Sequence, residues 1–266
     1  MVVGAGLFGS VIAAALRANG RSVLVVDDAQ PGAGSAPAAC LMRPSWFSSF
    51  GKKPSALALG LLDELYGVQD LLFRVGPGHV TVHWCDPLSI LSEKPLCARV
   101  KRVVKSGPGW EVRIRDHESV DARLVVVAAG VWTTLLAPVE GGLVGQAGVA
   151  FLWADDHIEK PFVRPWAPYK QVVAFNRGDG LWVSDGTAIK RDNWTDARAV
   201  SCEERCAAAV GSSSKPRHIF GVRPYSRERP CYLREHRPGF WVATGGAKNG
   251  TLAAAWCAHE IIRKTT

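Results

Sequence analysis

No apolar run in this sequence is long enough to span a bilayer, and no basic-then-apolar leader opens it. With 47% hydrophobic residues spread over 266, those two absences predict a soluble, cytoplasmic, globular chain with no membrane partner. The seven cysteines (Cys40, Cys85, Cys97, Cys202, Cys206, Cys231 and Cys257) are scattered, odd in number and without CxxC spacing. That pattern argues against a disulfide framework or a zinc site, and no metal is expected. Neither a Ser/His/Asp nor a Cys/His constellation is visible, and His83 and His117 read as ordinary histidines near strand ends. Internal repeats and low-complexity tails are absent as well. Acidic residues are in short supply, 24 against 32 basic, which leaves a net charge of +8 and raises the question of an anionic macromolecular partner. Composition alone leaves that question open.

What the chain does have is a glycine-rich turn at its start. "VVGAGLFGSVIAAALRANGRSVLVVDD" (residues 2–28) sets the end of a strand before Gly4, Gly6 and Gly9, which satisfy GxGxxG, and then predicts a helix from Leu7 to Asn19 with Gly20 as its C-terminal cap. "RSVLVV" gives a second buried strand ending at Asp27, eighteen residues beyond Gly9, where an acid can hydrogen-bond a ribose hydroxyl. The glycines serve a tight turn, close backbone approach to a pyrophosphate and close helix-to-strand packing, with the helix N-terminus facing the phosphates. Asp28 reads as a solvated neighbour.

Two further segments repeat this logic. "DARLVVVAAGVWTTLL" (121–136) is a buried strand closing on Ala128, Ala129 and Gly130, where backbone can approach a cofactor unobstructed. "PGFWVATGGAKNGTLAAAWCAHEII" (238–262) is a strand, a glycine turn and a helix from about Thr251. Three glycine turns at strand ends, far apart in sequence, suggest one cofactor wrapped by distant segments.

Along nearly its whole length the chain resembles the D-amino-acid oxidase, glycine oxidase and sarcosine oxidase superfamily of FAD-dependent oxidoreductases. The resemblance rests on the opening GxGxxG with Asp27, "PGAGSAPAACLMRP" (31–44), "VVVAAGVWTTLL", "VGQ" (144–146), "GDGLWVSDGTAI" (178–189), "GVRPYSRERP" (221–230) and "ATGGAKNGTL" (243–252), in that order. It implies an α/β fold: a Rossmann-like FAD-binding domain interleaved with a small, largely antiparallel substrate domain. It also implies that Gly4, Gly6, Gly9 and Asp27 hold the ADP half of noncovalent FAD. Ser35, Ala39 and Cys40 would line the diphosphate and ribityl region, with Ala129 and Gly130 beside them. Gly245, Gly246, Asn249, Gly250 and Thr251 would face the isoalloxazine, Arg223 would grip a substrate carboxylate, and Lys248 would be a second basic residue at the catalytic site. The implied reaction is oxidative cleavage of a C–N bond. An amine or amino acid gives up hydride from its α-carbon to flavin N5, the imine hydrolyses, and molecular oxygen reoxidises the flavin.

The chain also departs from the family. It is shorter than most members, chiefly in the middle; Gly246 stands where a His is common; the strand "VVAF" (172–175) lacks a Tyr that several members aim at substrate; and Cys40 replaces a usual glycine. Seven basic residues between Lys215 and Arg237 face only Glu228 and Glu235, and "VKRVVK" (100–105) and "GKK" (51–53) add more. That balance keeps open a reading in which the same chemistry acts on an amino-acid-like adduct of a nucleobase in DNA or RNA, with Trp46 beside Arg43 stacking on a base. The other reading is a basic enzyme with solvated faces. A third is a flavin-binding subunit that has lost catalysis.

The FAD-binding segments are expected at 1–80, 95–142 and 222–266, and the substrate domain at 143–221, with 81–94 contributing. "PFVRPWAPYKQVVAFNRGDGLWVSDG" reads as a hairpin turning at "RGDG", "GSSSKP" (211–216) as a loop, and "PSALALGLLDELYG" (54–67) as a core-facing helix.

Overall fold

The computed structural model describes residues 1–42, 52–86, 94–167, 170–177, 179–228 and 230–266. Trp46, Arg43, Gly51, part of 81–94, Arg229 and the side chains of Lys52, Lys53 and Lys248 lie outside the described residues. A parallel sheet carries the nucleotide-binding geometry: β1 (Val2–Val3), β2 (Val25–Asp27), β6 (Leu96–Cys97), β10 (Val125–Val127) and β18 (Phe240–Thr244), with β17 (Tyr232–Arg237) antiparallel at one edge. The strand order is β17-β18-β10-β1-β2-β6, so β1 lies between strands from three distant parts of the chain. Both faces are covered, which is why these strands read as continuous valine runs rather than alternating patterns.

Successive valines point to opposite layers. Val2, Val25 and Val126 join helices α1 (Leu7–Ala18), α2 (Lys52–Tyr66) and α4 (Gly250–Thr265) in one core. Val3, Val26, Val125 and Val127 pack on the other side against Trp110, Val112 and Ile114 of a small antiparallel sheet of β7 (Val100–Ser106), β8 (Gly109–Ile114) and β9 (Val120–Ala122). α1 ends where Gly20 adopts φ +74° and Arg21 N–H donates to the Leu16 carbonyl at 3.1 Å, the left-handed stop that the sequence predicts.

The second layer is a nine-stranded sheet ordered β15-β11-β14-β13-β12-β4-β5-β3, with β16 (Arg217–Ser226) on the other side of β11 (Leu143–Trp153). Its members are β3 (Leu41–Met42), β4 (Gln69–Val75), β5 (Gly78–Trp84), β12 (Phe162–Ala167), β13 (Lys170–Arg177), β14 (Gly180–Ser184) and β15 (Ile189–Lys190). The β13–β14 turn falls at "RGDG", as expected. Residues 69–80, which the sequence groups with the cofactor segments, pair instead within this sheet, because Phe73 and Val82 bury their side chains against Phe175 and Trp182. Residues 222–226 likewise continue β16 in this sheet rather than returning at once to the parallel one. The outer face is closed by α3 (Asp196–Val210), whose Cys202 and Cys206, four apart and fully buried, face Phe151 and Trp153. No helix among the described residues is long and apolar enough to cross a membrane.

Ile12 is fully buried where α1 meets α4. Ile12→Ala should lower unfolding stability by about 2 to 5 kcal/mol, read as a fall in the urea midpoint at unchanged slope.

Candidate active site

One cavity of about 920 Å³ runs between the parallel sheet and the nine-stranded sheet. At its nucleotide end the glycine turn is sterically obligatory. A Cβ on Gly9 would lie 1.8 Å from the Gly4 carbonyl oxygen, and one on Gly4, whose φ is +103°, would lie 2.5 Å from the Ala128 carbonyl oxygen. No side chain fits at either position. Asp27 locks this turn through both oxygens: Ala5 N–H donates to Oδ2 at 2.6 Å and Ala29 N–H to Oδ1 at 2.7 Å. The lone pairs left over face a cavity that Gly4, Gly6 and Asp27 all line.

Ser35 has a further job that the sequence does not reveal. α1 has no side-chain cap of its own, and Ser35 Oγ accepts from Leu7 N–H at 2.8 Å, capping the helix from a distant loop. A Cβ on Gly6 would sit 2.9 Å from that oxygen, so Gly6 makes room for the cap. The Ser35 hydroxyl hydrogen and the helix N-terminus then lie together at the cavity wall, a setting that favours an anion. Arg99 and Asp28 close this end as an ion pair at 2.9 Å, so Asp28 is a lining residue rather than merely solvated.

Ala39, Cys40, Ala129 and Gly130 line the middle of the cavity. Cys40 holds φ +53°, the left-handed backbone that suits glycine. Burial pushes its thiol up to about 12, so it stays protonated and unreactive at neutral pH. At the far end Gly246, Asn249, Gly250 and Thr251 line the wall and present the N-terminus of α4. Gly245, at φ +81°, is absent from the lining; a Cβ there would meet Ser226 Cβ at 2.5 Å, so it permits close packing on β16. A Cβ on Gly246 would come within 2.9 Å of Phe8 Cζ and 3.0 Å of Gly250 Cα, so a side chain there would require its neighbours to shift.

Arg223 projects from β16 beside Gln146, its cross-strand partner, and both line the cavity. The two loops on the cofactor side clamp the same strand: Ala33 bridges Val222, and Gly246 bridges Tyr225. No acidic side chain pairs with Arg223 among the described residues, and burial draws its guanidinium below its ordinary value. None of the other described basic residues between 215 and 237 lines the cavity. Arg217 lies 3.7 Å from Asp179 and Arg234 pairs with Glu228 at 3.0 Å; of all described basic residues only Arg99 and Arg223 line the cavity. Trp182, Gln171 and Asp185, which the sequence did not single out, complete the wall at this end. The quoted motif "GLWVSDG" contained two of them.

Residues 96–264 match the family model described as "FAD dependent oxidoreductase", and residues 2–38 match one for an NAD(P)-binding Rossmann-like domain. The chain belongs to the FAD-dependent oxidoreductase family and is an enzyme whose cofactor is FAD. Solved structures with the same fold include glycine oxidase from Geobacillus kaustophilus (TM-score 0.74, 16% identity, covering 98% of this chain and 92% of that one). Another is L-proline dehydrogenase from P. horikoshii (TM-score 0.73, 13% identity, covering 100% and 93%). Glycine oxidase from Bacillus cereus is similar to the same degree, at TM-score 0.72 and 16% identity, covering 100% and 94%. No curated protein matches the chain by sequence.

Gly9→Ala forces the new methyl onto the Gly4 carbonyl. The variant should purify without the yellow flavin absorption that the unmodified protein shows after reconstitution with FAD, and retention of a full flavin band would contradict the role given to this turn.

Proposed function

We propose that the chain oxidises the C–N bond of a small amine or amino acid whose carboxylate is held by Arg223. The observation that supports this is a buried guanidinium without an acidic partner among the described residues, at the wall of the cavity that fits the cofactor. A buried cation is costly unless an anion completes it, and a substrate carboxylate is an anion matched to the planar guanidinium fork. FAD, when bound, supplies the acceptor for a hydride from the substrate's α-carbon; the substrate is left as an imine, which water hydrolyses to a carbonyl compound and an amine.

The protein contributes alignment. On this reading Arg223 fixes the carboxylate, and Gln146 beside it offers an amide to the same region. The residues proposed to hold FAD are Gly4, Gly6, Asp27 and Ser35 at the nucleotide end, Ala39, Cys40, Ala129 and Gly130 along the middle, and Gly246, Asn249, Gly250 and Thr251 at the ring end. Gly9 and Gly245 support them through packing. FAD is noncovalent on this reading, because Cys40 is the only cysteine among the described lining residues and its thiol is held protonated. Molecular oxygen is the proposed electron acceptor. A small free substrate is preferred over a nucleobase adduct because the basic residues that would cradle a nucleic acid are dispersed away from the cavity.

Anaerobic titration of the FAD-loaded protein with glycine, sarcosine and proline should bleach the flavin. Arg223→Ala should raise the concentration needed for half-bleaching by about a hundredfold while leaving the resting flavin spectrum intact, consistent with about 2 to 5 kcal/mol for an ion pair broken on one side. Bleaching only by an aminoacylated nucleic acid, or equal bleaching in the variant, would overturn the proposal.

A further inference from the structure

Arg205 lies on α3, is absent from the cavity lining and has no part in the chemistry above. Yet it reaches a carboxylate at the wall of the same cavity. Its Nε and Nη2 donate to Asp185 Oδ2 at 3.0 and 2.7 Å, and its Nη1 donates to Ser201 Oγ at 2.5 Å. Asp185 is wholly buried at the cavity wall. Its Oδ1 accepts from Thr187 N–H at 2.9 Å, and Oδ2 accepts from the Thr187 hydroxyl at 2.9 Å.

The segment tied down in this way passes directly beside Arg223. β14 leaves β11 at Phe151, and β15 rejoins the same edge at Ala147, so residues 184–188 are carried over the stretch that includes Gly148. Ser184 Oγ donates to the Val149 carbonyl at 3.2 Å and holds the start of the crossing. A Cβ on Gly148 would lie 2.9 Å from the Thr187 carbonyl oxygen and 3.0 Å from Arg223 Nη2, so the loop and the guanidinium occupy the space around one missing side chain. A buried carboxylate and a buried guanidinium thus share one end of one cavity, and the carboxylate is bound elsewhere.

We propose that Arg205 is a positioning residue for substrate carboxylate binding: it captures Asp185, which leaves Arg223 without an internal anion and open to the substrate. This rests on the Arg223 reading above. Without Arg205, Asp185 loses the guanidinium that pairs with it and becomes a buried negative charge beside the substrate site, where it competes for Arg223 and repels an incoming carboxylate. A purely structural role for the ion pair predicts loss of stability alone; an electrostatic one predicts that removing the competitor restores binding.

The test is titration of FAD-loaded protein with acetate, followed as a perturbation of the flavin's visible absorption. Arg205→Met should weaken acetate binding by roughly tenfold with the flavin still bound, and Arg205→Met combined with Asp185→Asn should return to within about threefold of the unmodified protein. An unchanged single variant, or a double variant as weak as the single, overturns the proposal. Should Arg205→Met fail to fold, Asp185→Asn alone decides the matter, because it should bind acetate at least as tightly as the unmodified protein, and a tenfold loss overturns the idea. If the unmodified protein neither responds to acetate nor is bleached by any amine, the Arg223 reading itself has failed, which is a different result from a responsive protein indifferent to Arg205.

Discussion

The contact between Gly9 and the carbonyl of Gly4 is the constraint on which the rest of the molecule turns. With 1.8 Å between that oxygen and the place a Cβ would occupy, α1 approaches the end of β1 as closely as a helix can. This closeness sets the helix N-terminus at the edge where the strands ending at Val3, Asp27 and Val127 finish, since Gly4 N–H donates to the Val26 carbonyl and Ala128 N–H to the Val3 carbonyl, each at 2.8 Å. Three strand ends, one helix terminus and Asp27 therefore converge without a long side chain among them. The emptiness is functional: small residues leave volume, and backbone N–H groups and a helix dipole give that volume a preference for negative charge.

β16 passes that geometry on to the substrate end. It is bridged by both the Ala33 loop and the Gly246 turn, so whatever those segments hold is registered against Arg223. Gly34 makes the first of these contacts possible, because a Cβ there would lie 2.8 Å from Arg223 Cα. The arrangement sacrifices stability for binding. A desolvated guanidinium with no acidic partner among the described residues is a destabilising feature of the fold, and ten consecutive pairings between β11 and β16 fix the strand that bears it.

Much of this was legible in the sequence, for identifiable reasons. The GxGxxG turn, Asp27, the strand ending at Val127 and the helix after Gly250 are encoded locally, by glycines at which a Cβ would collide with its neighbours and by valine runs that suit a sheet covered on both faces. Segments whose identity depends on distant partners were not legible. The hairpin of β4 and β5 belongs to the second sheet because of what Phe73 meets there, and nothing in residues 69–80 states it. The α3 helix passed unnoticed because most of its surface is solvated; its apolar signal reduces to Cys202, Cys206 and a few alanines, although Thr195 at its start and Gly211, with φ +74° at its end, mark its limits. The cap by Ser35 on α1 spans 28 residues and has no sequence signature at all.

The two ends of the cavity differ in how their charges are settled, and on the proposed reading that difference lets one long pocket hold a cofactor and still discriminate a substrate. At the nucleotide end every described charge has a partner in the protein: Asp27 accepts from two backbone amides, and Asp28 pairs with Arg99. Such a site recognises by shape and hydrogen bonding and loses little when empty. At the other end Asp185 pairs with Arg205 of α3, and on the proposed reading the desolvated Arg223 is the charge that a ligand completes. Electrostatic selectivity is therefore concentrated at one guanidinium. A ligand without an anion there gains the walls of Trp182 and Val149 but leaves the buried cation unmatched, whereas a carboxylate relieves that cost on arrival.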